Sequence, residues 1–326
     1  MPSRRRALVF RGPRAIEIVD GECPAPGHGE VLVMTRVSAL SAGTELLAYR
    51  GQLPPDMAVD ETLPGMTEAR FQYPFRYGYA SAGVVVAVGA GVDQAWRGRR
   101  VFGFVPHASA FVASINDVLL LPEGVSDEVA PLLATAETAT NLVLDGRPLL
   151  GERVVVFGQG VVGLLLTAIL ARFPLRDLRV IEPMPARAAL AERLGATVVT
   201  AASDADLTYE VSGHPEALDA AIAATGAEGR IVVGSFYGNK PASVGLGGHF
   251  HRGRLRIISS QVSHIAPDLR GHWDRVRRMA VAWQALARIG ADELISHRFP
   301  FVEAASAYAL LDRGDPATVQ VLLTHE

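Results

Sequence analysis

The sequence predicts an α/β chain in two parts, a β-rich domain of barrel-like character and a parallel, doubly wound sheet. Three observations predict it. From residue 154 onward, short β-branched runs alternate with helical patterns, the rhythm of βαβ units. Over residues 1–122, short alternating or apolar runs recur between turn signals with little helical periodicity. The 326 residues, 49% hydrophobic and 20% charged, supply core enough for two ordinary domains.

Taken in order, residues 7–10, 15–19, 31–39, 83–88 and 118–121 read as strands, parted by turn clusters at 24–29, 89–91 and 97–98. Residues 51–76 are rich in Pro, Met and aromatic side chains without a period, and read as a long surface loop or lid. A helical pattern follows Ser126 through Asn141. Strands at 154–157, 178–181, 197–199, 207–211 and 230–234 then alternate with helices at 161–173, 186–194 and 215–225. Residues 254–259 read as a further strand and 273–289 as an amphipathic helix. The tail reads as strand 295–299, helix 302–311 and strand 318–323. No internal repeat or low-complexity segment interrupts this order.

The richest stretch is 153–182. Residues 154–157 form a β-branched run suited to a strand buried on both faces. Gly158, Gly160 and Gly163 follow at G-x-G-x-x-G spacing, and an apolar helix begins inside the motif at Val161 and Val162. Gly158 permits the tight turn, Gly160 lets the backbone approach a pyrophosphate, and Gly163 lets helix and strand pack closely. The helix N-terminus, with Gln159 in the turn, offers free N–H groups and a positive dipole end to phosphate. The second strand ends in Glu182, nineteen residues after Gly163. A carboxylate there accepts both ribose hydroxyls and repels a 2′-phosphate, which favours NAD(H) over NADP(H). Arg187 either covers the adenine or phosphate region or is a solvated helix position.

Bulk composition excludes other classes. A net charge of −3 gives no electrostatic case for nucleic acid or an anionic membrane surface. The longest apolar stretch, 154–173, carries three glycines and Gln159 where a strand–turn–helix needs them, so a membrane span is not expected. Cys23 is the one cysteine, so there is no intramolecular disulfide and no Cys-rich zinc lobe. A reducing cytoplasm is the simplest compartment. His249 and His251 have no further ligand nearby in sequence and read as surface or interface residues. His264 and His272 are placed near an interdomain or dimer edge. No Gly-x-Ser-x-Gly or His-Glu-x-x-His string supports a hydrolase.

Several strings, in their order, resemble the medium-chain dehydrogenase/reductase family over nearly the whole chain. They are Ser-Ala-Gly-Thr-Glu at 41–45 with Tyr-Arg-Gly at 49–51, Gly-Tyr-Ala-Ser-Ala-Gly at 78–83, and Gly-Arg-Arg-Val at 98–101. After them come Leu-Pro-Glu-Gly-Val-Ser at 121–126, the glycine fingerprint, Leu-Gly-Ala at 194–196, and Gly-Ala-Glu-Gly-Arg at 226–230. Within the family, the first two strings resemble a zinc-free subgroup, the bacteriochlorophyllide a dehydrogenase type. The resemblance implies a GroES-like catalytic domain at 1–122 with 268–326, and a Rossmann cofactor domain at 123–267. It places the active site in the cleft between them. It also implies a homodimer or homotetramer joined through Rossmann edge strands, with 254–259 as the candidate edge.

Where zinc-dependent members carry their ligands, this chain has Ala42, Tyr79 and Ala134. None of these except a tyrosinate could bind zinc, so no metal is expected. By the same resemblance, Thr44 falls beside the reacting oxygen and Tyr79 projects into that cavity. An unperturbed phenol ionises near ~10, and a neighbouring nicotinamide cation would lower it for acid–base work; alternatively Tyr79 only lines the pocket. Glu45 is either a base or, as its counterpart in the family usually is, a structural acid. Thr138 aligns with a residue that packs on the nicotinamide, and Glu137 is a relay or a surface acid. Ser212, Gly213, Gly234, Ser235, Ser259 and Ser260 follow predicted strands at the carboxyl edge of the sheet, where they would meet the cofactor mostly through backbone. The expected reaction is NAD(H)-dependent hydride transfer on a secondary alcohol or ketone, in specialised biosynthesis. Alternatives are an enoyl or quinone-type reductase of the same fold and a non-catalytic dinucleotide-binding protein.

Overall fold

A computed structural model describes the chain except residues 1–3, 61, 64–65, 67–68 and 326. Two compact units divide it, Met1–Ala134 with Gly290–Glu326, and Thr135–Ile289. In chain order the first unit holds β1 (Arg4–Gly12), β2 (Ala15–Glu22), β3 (Glu30–Leu40), α1 (Thr44–Arg50), β4 (Ser81–Val88), β5 (Arg100–Gly103), β6 (Ala110–Ser114) and β7 (Val118–Leu120). α2 (Leu133–Gly146) carries the chain into the second unit. There follow β8 (Arg153–Phe157), α3 (Val161–Leu170), β9 (Asp177–Ile181), α4 (Pro185–Arg193), β10 (Thr197–Val198), β11 (Ala205–Glu210), α5 (Glu216–Ala224), β12 (Thr225–Val233), β13 (Arg256–Ser259) and α6 (Arg275–Arg288). The tail, β14 (Ile295–Pro300), α7 (Ala304–Arg313) and β15 (Gln320–Thr324), belongs to the first unit.

Both units part from the rest of the chain later than the expected boundaries at 122 and 267. Residues just after 122 stay with the first unit, where Ala130 and Leu132 are fully buried and ion pairs join Arg100 to Asp127 and Arg298 to Glu128, each at 2.7 Å. α6 stays with the second unit because Arg278 is buried against Glu137 and Asn141 of α2.

The first unit is built on β3. Its apolar residues alternate unevenly, with register shifts at 32/33 and 35/37, and its two ends serve different neighbours. Residues 30–34 pair with β6, while 37–40 pair antiparallel with β15, so the tail completes the sheet. The segment 51–76 corrects the surface-lid expectation. Leu53, Val59, Leu63, Met66, Phe71 and Phe75 are buried in the unit's main core with Leu8, Phe10 and Tyr308. Phe75 stacks on Phe10 at 5.2 Å, and the two exchange backbone hydrogen bonds. Its described backbone is irregular, as a loop's is, but these six apolar side chains pack into the core rather than over the surface.

The second unit is a parallel sheet in the order β10-β9-β8-β11-β12-β13. β8 sits centrally, with four of its five residues buried, as its β-branched run requires. Strand order reverses between β8 and β11, so the crevice at their carboxyl ends is the switch point of the sheet. β13 forms one edge, and Arg256 and Ile257 are exposed on it. No helix among the described residues is long and apolar enough to cross a membrane.

Candidate active site

In the second unit, the three fingerprint glycines do three different things. Gly158 turns with φ +90°, and a Cβ there would meet Ser212 Cα of the neighbouring strand end at 2.5 Å. A Cβ at Gly163 would meet the Gly158 carbonyl oxygen at 2.0 Å, so helix and turn touch through it. At Gly160 a Cβ would meet nothing within 4 Å. The open space therefore faces the one glycine whose backbone must approach a pyrophosphate, next to the N-terminus of α3 at Val161 and Val162. Glu182, just beyond β9, accepts from the backbone N–H of Gln159 at 2.6 Å and of Met184 at 2.9 Å. Those bonds fix its carboxylate across the turn and leave further lone pairs for ribose hydroxyls. These residues suit a dinucleotide.

Other expected cofactor residues are more occupied. The Gln159 side chain is buried, accepting from Thr167 and donating to the Gly158 carbonyl, so only its backbone borders the turn. Glu210, buried at the end of β11, accepts from the Ser212 backbone N–H at 2.8 Å, from the Ser212 hydroxyl and from the Tyr237 hydroxyl. Burial and this carboxylate push the Tyr237 phenol well up. Gly213 donates its N–H to Ser235 Oγ at 2.8 Å, and Gly234 donates to the Glu210 carbonyl at 2.9 Å. Ser260 donates its N–H to the Val233 carbonyl and its hydroxyl to Asp145. The strand-end N–H groups expected to reach the cofactor are thus largely spent within the sheet rim. Ser259 ends β13 in an exposed position, and Arg187 lies half-buried on α4. Thr138 lies half-buried on α2 beside Glu137. Glu137 is not a surface acid: it is buried, 2.6 Å from Arg278 Nη2. His249 is spent on the Thr225 carbonyl at 2.6 Å.

In the first unit, α1 grows out of the Ser-Ala-Gly-Thr-Glu string, a helix the sequence reading did not expect. Its Leu46, Leu47 and Tyr49 are buried, Glu45 lies in the first turn and Arg50 in the last, and Gly51 closes it in the left-handed region. Glu45 is fully buried. One carboxylate oxygen accepts from the Ser41 backbone N–H at 3.0 Å, and the other meets His107 Nε2 at 2.9 Å and the Tyr308 hydroxyl. These three partners tie α1 to its surroundings, an arrangement that suits the structural role its sequence allowed.

His107 in turn shapes the Gly78–Tyr79 turn. Gly78 has φ +115°, and a Cβ there would lie 2.4 Å from the imidazole, so ring and backbone are in direct contact. Tyr79 follows, and its phenol feels the Ser41 and Thr44 hydroxyls, which favour its ionised form. The residue is partly exposed, but its hydroxyl is desolvated. Burial first, and then the charge of Glu45, push its phenol up to about 12. In the free protein, without the nicotinamide cation on which the expected lowering depends, Tyr79 carries its proton at neutral pH. Neither His107 nor Tyr308 stood out in the sequence; they reach Glu45 from 62 and 263 positions away.

The donor set does not fit zinc. Ala42 and Ala134 carry no ligand atom, and no three His, Cys, Asp or Glu side chains among the described residues group closely enough to hold a metal ion.

No protein-family model matches the chain. It is 30% identical over 342 residues to a 2-desacetyl-2-hydroxyethyl bacteriochlorophyllide A dehydrogenase of Rhodobacter capsulatus, covering 98% of this chain and 97% of the relative. The chain belongs to the medium-chain dehydrogenase/reductase family. The dehydrogenase of the same name from Cereibacter sphaeroides is 29% identical over 346 residues, covering 98% of both. Among solved structures, an alcohol dehydrogenase from E. coli CFT073 complexed with NADH shares the fold at a TM-score of 0.80 and 22% identity, covering 99% of this chain and 100% of that one. As a medium-chain dehydrogenase/reductase, the chain has the GroES-like and Rossmann parts that its sequence implied, and it is an oxidoreductase of the alcohol-dehydrogenase type.

Proposed function

We propose that the chain is a zinc-independent, NAD(H)-linked oxidoreductase that moves hydride between a nicotinamide and a secondary alcohol or ketone. What carries this reading is Tyr79, desolvated and influenced by the Ser41 and Thr44 hydroxyls, at the position where the family resemblance puts a zinc ligand in zinc-dependent members. NAD(H) supplies or accepts the hydride when bound. Gly160 and the start of α3 would hold its pyrophosphate, and Glu182 its adenine ribose, which disfavours a 2′-phosphate. Thr138 would pack beside the nicotinamide.

In reduction, Tyr79 gives its proton to the carbonyl oxygen as the carbon gains hydride, and Thr44 hydrogen-bonds the same oxygen. The phenolate is then reprotonated through the Thr44 and Ser41 hydroxyls. Oxidation runs the same steps backwards. Among the described residues no group of three His, Cys, Asp or Glu offers zinc a donor set, and none of these steps needs one.

The bacteriochlorophyllide dehydrogenase relatives support a place in specialised biosynthesis. The exposed edge at β13 supports a homodimer or homotetramer, which the solution mass would report. A single cysteine suits a reducing cytoplasm.

The test is NADH oxidation against panels of ketones and enones, using enzyme stripped by a chelator and assayed for metal. Turnover of ketones by the stripped enzyme, with NADPH a much poorer donor, is the expected result. Activity on enones alone, or activity restored only by zinc, overturns the proposal.

A further inference from the structure

Tyr79 projects from a segment pinned on both sides. Before it, the Tyr77 carbonyl accepts from the His107 backbone N–H at 3.1 Å, and the His107 carbonyl accepts from Leu8 of β1 at 3.0 Å. After it, the Ala80 carbonyl accepts from Ala39 of β3 at 2.9 Å. Between the two pins lies Gly78, whose φ of +115° favours glycine, with the His107 ring laid against it. A Cβ there would stand 2.4 Å from His107 Cδ2 and 2.6 Å from Nε2, so the ring closes that side to any movement of the backbone.

The ring in turn answers to Glu45. His107 is fully buried, and its Nε2 lies 2.9 Å from a Glu45 carboxylate oxygen. A carboxylate accepts, so Nε2 is the ring nitrogen that donates. Among the described residues Nδ1 has no hydrogen-bond partner, which leaves Glu45 as the polar contact that sets the angle of the ring. An apolar side chain would fill the space beside Gly78 without burying two ring nitrogens. A hydrogen-bonded imidazole does more than fill it, because its angle is fixed two residues from the phenol.

We propose that His107, oriented by Glu45, is a positioning residue for Tyr79, holding the Tyr77–Gly78 backbone so that the phenol meets the reacting oxygen. This role rests on Tyr79 being the proton donor proposed above. His107 acts through Tyr79 and exchanges no proton with the substrate. Its loss falls on the chemical step rather than on binding, because a phenol displaced by about 1 Å still lines the site but delivers its proton poorly.

The test compares His107→Gln, whose amide nitrogen falls near the place of Nε2, with His107→Asn, whose shorter side chain cannot reach Glu45. His107→Asn should lower kcat by about tenfold to a hundredfold for the ketone best reduced in the panel above, with KM within about twofold. His107→Gln should recover most of that loss. A readout without turnover uses protein labelled with carbon-13 at the tyrosine Cζ, the Tyr79 signal being the one missing from Tyr79→Phe. That signal should move in His107→Asn and stay near its parent position in His107→Gln. In the parent, which needs no variant to fold, NMR should show a through-space contact between Gly78 Hα and His107 Hδ2. Absence of that contact, an unmoved Tyr79 signal in His107→Asn, an unchanged kcat there, or an equal loss in both variants overturns the proposal. A parent that reduces no ketone overturns the proton-donor reading instead, and the two spectroscopic results still decide whether His107 places Tyr79.

Discussion

Glu45 and His107 lie 2.9 Å apart, carboxylate to imidazole, and neither side chain is exposed to solvent. The same carboxylate serves Tyr308 and the Ser41 backbone, so it joins α1, the Pro106–His107 segment and α7. Replacing it by Ala would leave three polar groups buried without an acceptor. We expect Glu45→Ala to cost about 3 kcal/mol or more, read as a lowered denaturant midpoint. Glu45→Gln should recover part of this, with activity tracking the folded fraction. A well-folded Glu45→Gln enzyme that loses about a hundredfold in kcat would instead make Glu45 a base.

Tyr79 should act as an acid. Because its phenol is pushed up to about 12, it stays protonated across the working range, and it should impose no loss on ketone reduction below about pH 10. Tyr79→Phe should lower kcat by about 10²–10⁴-fold. Stability gives a second readout. The unfolded tyrosine releases its proton near pH ~10 while the native one holds it to about 12. Its contribution is therefore fully present below about pH 10 and lost as pH rises towards about 12. Thermal melts of Tyr79→Phe should lack that loss, and an identical alkaline slope in both proteins would refute the assignment.

These two residues also mark what could be read in the sequence and what could not. The fingerprint was legible because its logic is local: Gly158, Gly160 and Gly163 answer to a turn, a ligand and a helix within six positions. The βαβ order was legible for the same reason, since period and punctuation are short-range. His107 and Tyr308 were not, because buried hydrogen bonds across 62 and 263 positions leave no local pattern. The segment 51–76 failed for a related reason. Its irregular backbone was legible, but its buried residues follow no period, so nothing local marked them as core.

Within the second unit, Arg278 and Glu137 form a buried pair at 2.6 Å, with Arg278 also reaching the Asn141 side chain at 2.7 Å. Removing one partner strands the other charge away from water. Arg278→Met should lower the unfolding midpoint by the equivalent of about 3–5 kcal/mol. A double variant, Arg278→Met with Glu137→Leu, should recover most of that loss, because desolvation nearly cancels what the pair contributes. A double variant no more stable than Arg278→Met alone would show that the pair carries more than its own charge balance.

The sharpest separation of binding from folding lies at two glycines three positions apart. Gly163→Ala sets a methyl 2.0 Å from the Gly158 carbonyl oxygen, a backbone atom that cannot turn aside. α3 must then move off the turn, and the variant should lose stability whether or not cofactor is present. Gly160 has φ −65°, which any residue adopts, and its methyl would meet nothing within 4 Å. Gly160→Ala should therefore melt within about 0.5 kcal/mol of the parent, since nothing in the free fold opposes it. The methyl would instead stand where the pyrophosphate must approach, so NADH affinity should fall at least about tenfold in a fluorescence titration. Gly160→Ala binding NADH as tightly as the parent would move the cofactor's phosphates away from this turn.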